Sequence, residues 1–377
     1  MHENPTSRSY EIVVVGAGPA GSSAARTAAQ KGAKVLLIDR RQRIGVPVQC
    51  AELISQWISH YVPVSPCSVV QPTETLVTYL ADGRGRDTVR RMRSPGYTLD
   101  RSLFDQEIAS SAQMEGAQLS TATKVTGLSS GGLWVEKELA KFEIKSKVII
   151  GADGVHSLIR RLAGLPALKT MVALQYEVKN PRTQNEAEVF LHPDFEGGYA
   201  WYFPKGKTAN AGLGIVPAKA SLLPSLLDRF LGYLMSLKGL SATAVVGRMA
   251  GSVPCEKPRQ TVIGNIVLVG DAAAHAHPIT GAGILNAVVG GEIAGRAAAE
   301  AVLRGNMCYL KDYETGWHEA FGKSLFYAAM KREFLEANWH NPKIGFEDLM
   351  RKTWVGFKEY YEARKFSCKL QVSSEQV

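Results

Sequence analysis

Gly16, Gly18 and Gly21 stand in a GAGPAG segment directly after the apolar run Ile12 to Val15 and directly before the Ala-rich stretch SSAARTAAQKG. A GxGxxG between a strand and a helix is suited to the pyrophosphate of a dinucleotide. The first glycine permits a tight turn, the second lets the backbone approach the phosphates, and the third lets helix and strand pack closely. The negative charge then rests on the free N–H groups of the helix N-terminus. Gly16, Gly18, Ala20 and Gly21 are the expected phosphate contacts. Asp39 follows Gly16 by 23 positions, at the end of the next apolar run. It is placed to accept hydrogen bonds from ribose hydroxyls, with Arg40 beside it. The bland alternative is a glycine-rich structural turn.

Two later segments favour FAD over a nicotinamide nucleotide. GADGVHS (Gly151 to Ser157) and GDAAAHAHPITGAGI (Gly270 to Ile284) each follow a short buried-strand pattern. Asp271, after Gly270, is suited to hold a ribityl hydroxyl. Gly281 and Gly283 sit where a helix beginning near Ile284 would turn its N–H groups toward the pyrimidine edge of a flavin, where negative charge develops on reduction. His275 and His277 lie in the same loop. Their spacing is too short for a metal site and no third ligand is near, so no metal is expected. Either ring could deliver a proton or simply hydrogen-bond the loop.

The elements that must position these residues follow from periodicity. Strands are expected at Ile12 to Val15, Lys34 to Ile38, Lys147 to Ile150 and Ile266 to Val269, with helices after the glycine motif, over Arg101 to Glu115 and over Leu285 to Leu303. Between these pieces the pattern turns to β, at residues 70–97 and again at Val172 to Val178, Ala187 to Leu191, Tyr199 to Phe203 and Gly212 to Val216, with a helix over Leu222 to Leu237. The expected fold is α/β: a discontinuous Rossmann-like FAD-binding domain over residues 1–75, 98–165 and 259–309, an inserted β-rich substrate domain over 76–97 and 166–258, and a C-terminal helical segment over 310–377.

Composition narrows the classes. The chain has 377 residues, 45% hydrophobic and 21% charged, enough for two cores. Five scattered cysteines without a CxxC pair argue against a disulfide framework or a zinc site and fit a reducing compartment. The first residues are too polar for a signal peptide, and no apolar run reaches the roughly 20 residues that cross a bilayer. The protein is therefore expected in the cytoplasm or on a membrane surface. Its net charge of +9 could serve several anionic partners, but its arginine clusters are not interleaved with aromatics, so nucleic acid is not an expected partner.

At this point the chain resembles the FAD-dependent group that includes aromatic hydroxylases, flavin halogenases and geranylgeranyl reductases. The glycine fingerprint, LDRSLFD (Leu99 to Asp105), GADGVHS and GDAA…P…G.G stand in the group's order over about residues 10–300. The resemblance implies that Arg101 approaches the FAD and that Asp153 belongs to the motif near its pyrophosphate. PVQCAE (Pro47 to Glu52) resembles a cysteine-containing motif of geranylgeranyl reductases. GGYAWYFPKG resembles their YxWxFP element, with Tyr199, Trp201, Phe203 and Pro204 matching. In that family this element lines the substrate cavity. Alternate aromatics on a strand would set Tyr199, Trp201 and Phe203 on one face, a wall for a long apolar chain or else an ordinary core strand. The histidines at 275 and 277 depart from the family, where small, apolar or Asn/Asp residues are more usual.

The implied reaction is reduction of carbon–carbon double bonds in a prenyl chain of a lipid, quinone or tetrapyrrole by hydride from reduced flavin. A monooxygenase or halogenase on the same scaffold is the alternative, and no convincing halogenase lysine follows the first βαβ unit. Cys50 either serves the flavin chemistry or is a small buried hydrophobe. The electron donor is expected to be NAD(P)H or a small redox protein such as ferredoxin, since no second glycine fingerprint is evident. Trp339, Trp354, Phe357, Tyr360 and Tyr361, mixed with Lys and Arg, suggest either a bilayer contact or a capping helix.

Overall fold

The structure, a computed structural model, describes residues 8–81, 87–180, 184–238 and 245–362. Its strands are β1 (Arg8–Val15), β2 (Val35–Ile38), β3 (Leu53–Ser55), β4 (Val69–Ala81), β5 (Asp87–Leu99), β6 (Gln118–Ser120), β7 (Lys124–Ser129), β8 (Gly132–Lys137), β9 (Ala140–Gly151), β10 (Thr170–Lys179), β11 (Glu186–Leu191), β12 (Tyr199–Lys205), β13 (Thr208–Ile215), β14 (Val245–Pro254), β15 (Val262–Ile263) and β16 (Ile266–Leu268). Its α-helices are α1 (Pro19–Gln30), α2 (Arg101–Met114), α3 (Leu158–Leu162), α4 (Leu223–Lys238), α5 (Ile284–Leu303), α6 (Lys311–Trp317), α7 (Lys323–Asn338), α8 (Phe346–Thr353) and α9 (Lys358–Tyr361).

The first sheet runs β15-β16-β9-β1-β2-β6, with β7 and β8 added as a meander on the first half of β9. β1 pairs in parallel with β2 and β9, and β16 in parallel with β9. All four residues of β2 are buried, as expected where helices cover both faces of a parallel sheet. One covering layer is α1 against α5. Their backbones approach so closely that a Cβ on Gly291 or Gly295 would stand 2.2 or 2.3 Å from the carbonyl oxygens of Ala20 and Ala24.

The second sheet runs β14-β10-β13-β12-β11-β4-β5-β3 and is antiparallel except for the β11–β4 pair. One face packs on α4 through Phe190, Tyr202 and Phe230. The other packs on α7 and α8 through Trp201, Phe203, Leu335 and Met350.

Several expectations are corrected here. Residues 70–75 belong to β4 and so to the second sheet, because β4 pairs with β5 from Val69 opposite Leu99 to Ala81 opposite Asp87 apart from two register shifts. β14, with the sequence VVGRMAGSVP, lacks an apolar run and is recruited by pairing along the whole of β10. The tail aromatics turn inward: Trp354, Phe357 and Tyr360 are buried, and the Trp354 indole N–H donates to Thr78 Oγ1 at 3.0 Å. Only Tyr361 of the buried-tail group stays exposed, so this stretch is core rather than a membrane-facing surface. No described helix is long and apolar enough to cross a membrane.

Candidate functional site

The glycine turn behaves as three different positions. Gly16 has φ +102°, and a Cβ there would stand 2.4 Å from the Ala152 carbonyl oxygen. A Cβ on Gly21 would stand 1.8 Å from the Gly16 oxygen, so only a bare backbone lets α1 sit on β1. Gly18 is different: a Cβ there meets nothing within 4 Å, and its backbone is extended at φ −80°. No protein contact demands glycine at 18. The N-terminus of α1 behind it carries no side-chain cap and no acid in its first turn. The open space and the free N–H groups together fit a bound pyrophosphate.

Asp39 is buried at the end of β2 and accepts hydrogen bonds from Ala17 N at 2.8 Å and Arg41 N at 2.8 Å. Burial opposes its charge, but the Arg41 guanidinium and these N–H groups outweigh it and hold the carboxyl below its ordinary range. Arg41, at 2.8 Å, is the arginine engaged there. Arg40 is exposed. Asp153 stands beside the same glycine turn. Its backbone lies against Gly16, but its carboxylate caps α3, accepting from the Ser157 hydroxyl, Leu158 N at 2.6 Å and Ile159 N at 3.1 Å. Its contribution is to fix the turn beside the glycines.

Cys50 lies where the two sheets meet. Its Sγ accepts from Glu52 N at 3.2 Å, and its carbonyl accepts from Gln175 Nε2 at 3.4 Å. Gln175 Oε1 in turn accepts from the Trp201 indole N–H at 2.8 Å. Burial pushes the thiol up from its ordinary value, while the neighbouring Arg101 guanidinium pulls the other way. Arg101 is the first residue of α2, whose N-cap Asp100 accepts from Ser102 N and Leu103 N. Its guanidinium grips Asp105 at 3.0 and 3.1 Å.

Glu52, in the cysteine motif but not singled out from the sequence, holds this junction together. It is 1% exposed and adopts φ +67°. Its carboxylate accepts from Arg101 N at 3.1 Å, Asn210 Nδ2 at 2.9 Å and Lys205 Nζ at 2.5 Å. One acid thus ties α2, β12 and β13 to the loop that carries Cys50.

In the Gly270–Ile284 segment, Gly283 is the N-cap of α5, whose first turn holds no acid and no side-chain cap. Burial pushes the Asp271 carboxyl up to about 6, with Arg101 pulling it down. The ring of His277 accepts from Ile279 N at 3.4 Å and Thr280 N at 3.2 Å through Nδ1, which organises the loop. Tyr199 Oη donates to the Thr280 carbonyl and so joins β12 to that loop.

His275 does not fit a proton-donor role. It is fully buried, with ring centroids 4.8 Å from Trp317 and 5.0 Å from Phe321, behind α5 and against a π-helical turn at His318–Gly322. Among the described residues neither ring nitrogen has a hydrogen-bond partner, and burial pushes its pKa down to about 3. The tight α5 backbone at Gly290 closes the other side. A His275→Phe chain is expected to keep its activity and gain about 1–3 kcal/mol at pH 7, because an unsatisfied buried polar group is removed. His277 is likewise pushed down, to about 4. Unfolding frees both rings to protonate near pH 6.5, so the unfolded state binds more protons below that pH and stability falls on acidification. Urea midpoints between pH 4 and 7 should fall less steeply for His275→Phe than for the parent.

Tyr199, Trp201 and Phe203 share one face of β12, with Trp201 and Phe203 8% and 6% exposed. The row packs against α7 and α8, and its half-buried margin is Ala51, Leu53, Ala173 and Tyr199, next to Cys50. Pro204 is corrected to the other face, by the same alternation that puts Tyr202 on α4. No described group of three His, Cys, Asp or Glu residues could hold a metal ion.

Comparison with known proteins gives the family. A family profile described as pyridine nucleotide-disulphide oxidoreductase matches residues 10–193, and one described as geranylgeranyl reductase catalytic domain matches residues 170–253. A digeranylgeranylglycerophospholipid reductase from Methanothrix thermoacetophila is 36% identical over 84% of this chain and 84% of its own. One from Methanocaldococcus jannaschii is 35% identical over 87% of each. The crystal structure of a geranylgeranyl bacteriochlorophyll reductase-like protein from Thermoplasma acidophilum superposes with a TM-score of 0.83 at 27% identity, over 94% of this chain and 92% of that one. A flavin-dependent brominase, at 18% identity and a TM-score of 0.69, shares the fold. With more than a third of its residues shared across most of the length of these reductases, the chain belongs to the geranylgeranyl reductase family of FAD-dependent oxidoreductases.

Proposed function

We propose that this protein saturates carbon–carbon double bonds in the prenyl chain of a membrane lipid. The observation that carries the reading is the meeting of Cys50, Arg101 and Asp271 with the half-buried apolar margin of the Tyr199–Phe203 row. The relatives named as digeranylgeranylglycerophospholipid reductases support the substrate class.

When bound and reduced, FAD supplies a hydride to one alkene carbon. The chain's own residues do the rest. Gly18 and the first turn of α1 would receive the pyrophosphate, with Ala20 and Gly21 behind them. Asp39, set by Arg41, would hold the ribose, and Asp271 would accept from the ribityl chain. Gly270 bends the backbone ahead of Asp271, while Gly281, Gly283 and Ile284 would offer the N-terminal turn of α5 to the flavin ring. The apolar margin holds the alkene away from water. An isolated alkene is a poor electrophile, so a proton must reach the second carbon as charge develops. Cys50 is the donor: burial keeps it a thiol, and Arg101 beside it stabilises the thiolate left behind. Electrons come from an external donor, NAD(P)H or a small redox protein such as ferredoxin, because the sequence carries one dinucleotide fingerprint.

Anaerobic mixing of dithionite-reduced enzyme with geranylgeranylated phospholipid should reoxidise the flavin and yield saturated chains. Unchanged flavin and intact lipid would overturn the reading. The Asp271 carboxyl adds a pH signature. Ionised Asp271 is the acceptor, so FAD affinity of the apoprotein should weaken as pH falls through about 6. Asp271→Asn should bind FAD more weakly and lose that dependence, as read by fluorescence titration between pH 5 and 8.

A further inference from the structure

The single-turn helix Gln56–His60 follows β3 directly and has two unlike sides. Inward, Ile54 and Ile58 are buried with Ile284 and Leu285, the first turn of α5. Outward, Trp57 is 60% exposed and the following Tyr61 is 41% exposed. The chain leaves β3 at Ser55, opposite Gly96 in an antiparallel pair, and this helix packs on β5. It therefore turns out beside the stretch of β5 that precedes Gly96. That stretch has no strand on its outer edge among the described residues, and it carries exposed Arg90, Arg91 and Arg93. Glu186 meets Arg91 at 3.3 Å, whereas no described carboxylate pairs with Arg90 or Arg93. Glu74 lies on β4, and Glu292 pairs with Arg26, whose guanidinium donates to the Tyr61 carbonyl at 3.0 Å.

Arginines on a free sheet edge discourage edge-to-edge pairing, which accounts for the charge. It does not account for two large rings held in solvent on the adjoining turn. Tryptophan and tyrosine rings suit the headgroup level of a bilayer, and neighbouring cations are drawn to anionic lipid. The net charge of +9 favours the same surface.

We propose that the rim made by Trp57, Tyr61 and the free edge of β5, with Arg91 and Arg93 on one side of the strand and Arg90 on the other, docks on an anionic lipid bilayer. The inference rests on the reading of the substrate as a membrane lipid. It places the contact one layer above the N-terminus of α5, where the lipid is needed, rather than on the C-terminal helices.

The test is co-sedimentation of the FAD-loaded protein with phosphatidylglycerol and with phosphatidylcholine vesicles. The parent should pellet with the anionic vesicles, more weakly with the neutral ones, and be released by salt. Replacing Arg90, Arg91 and Arg93 by Ser should weaken partition onto anionic vesicles on the order of 100-fold. The Trp57→Ala, Tyr61→Ala double variant should weaken binding to both. Flavin content equal to the parent's reports an intact fold, and turnover of prenylated phospholipid in detergent micelles should stay near the parent's. A parent that does not pellet, or variants that pellet as well as the parent, would overturn the docking face. Micelle turnover lost in step with pelleting would also overturn it, by assigning these residues to the reaction. Absent micelle turnover in the parent would instead overturn the functional reading and leave the pelleting result to decide docking.

Discussion

Gly18→Val should fold like the parent and fail to hold FAD. The extended backbone at 18 accepts a β-branched residue without strain, and a Cβ there meets no protein atom within 4 Å. What the side chain does fill is the space in front of the uncapped first turn of α1. The expected loss is about 100-fold or more in FAD affinity, ~2.8 kcal/mol at 1.4 kcal/mol per decade. The urea midpoint of the apoprotein should be unchanged. Gly21→Ala supplies the contrast. Its methyl would stand 1.8 Å from the Gly16 oxygen, so α1 must lift from β1 and the apoprotein itself should be destabilised or insoluble. Isothermal or fluorescence titration of FAD into the refolded apoproteins separates the two. Should Gly18→Val lower the midpoint and keep its flavin, the glycine would be a structural turn and the phosphate assignment would fail.

That separation shows why the glycine turn could be read in the sequence. Its three positions lie within six residues, and each answers to a local demand of strand, turn or helix. The aromatic row of β12 was legible for the same reason, since alternation needs only the strand. Strict alternation also puts Pro204 on the Tyr202 face, opposite Ala209, against the family pattern.

Other features depend on what long-range packing brings alongside. His275 and His277 lie two residues apart in one loop, and nothing local says which ring turns toward a flavin. The decision comes from Trp317 and Phe321, more than 40 positions later, which enclose His275. The tail aromatics mixed with cations read equally as a membrane stripe. Their burial follows from a partner, the Trp201–Phe203 face of the second sheet, that no periodicity in the tail reveals. The surroundings of Cys50 are of this kind too, since Arg101 and Tyr199 reach it from two separate parts of the chain.

Glu52 is the residue through which those parts are joined, and Glu52→Ala is expected to show the larger effect on stability. The carboxylate receives Lys205 at 2.5 Å, Asn210 at 2.9 Å and the Arg101 backbone N–H at 3.1 Å, at a position 1% exposed. Removing it leaves the Lys205 ammonium half-buried without its anion, takes one of two acceptors from Asn210 Nδ2, which keeps the Ala51 carbonyl, and orphans a helix-end N–H. Breaking one partner out of a buried ion pair costs about 3–5 kcal/mol, and the partial exposure of Lys205 places the expected loss near the lower end, about 3 kcal/mol. Relief from the left-handed backbone is small, since alanine has no easier access to φ +67° than glutamate. Glu52→Gln keeps the packing and one of the two acceptor oxygens, for either Arg101 N or Asn210 Nδ2, but not the charge for Lys205, so it should lose less. Chemical denaturation of both variants checks the order. The catalytic signature should separate from the stability effect. Glu52 N also donates to Cys50 Sγ, so loosening this junction moves the thiol while leaving the glycine turn and Asp39 untouched. Under conditions where Glu52→Gln remains folded, FAD affinity should stay near the parent's while reoxidation of the reduced enzyme by a prenylated lipid slows at least tenfold, about 1.4 kcal/mol of lost positioning. Parallel loss of flavin and turnover would instead assign Glu52 to the stability of the whole first sheet.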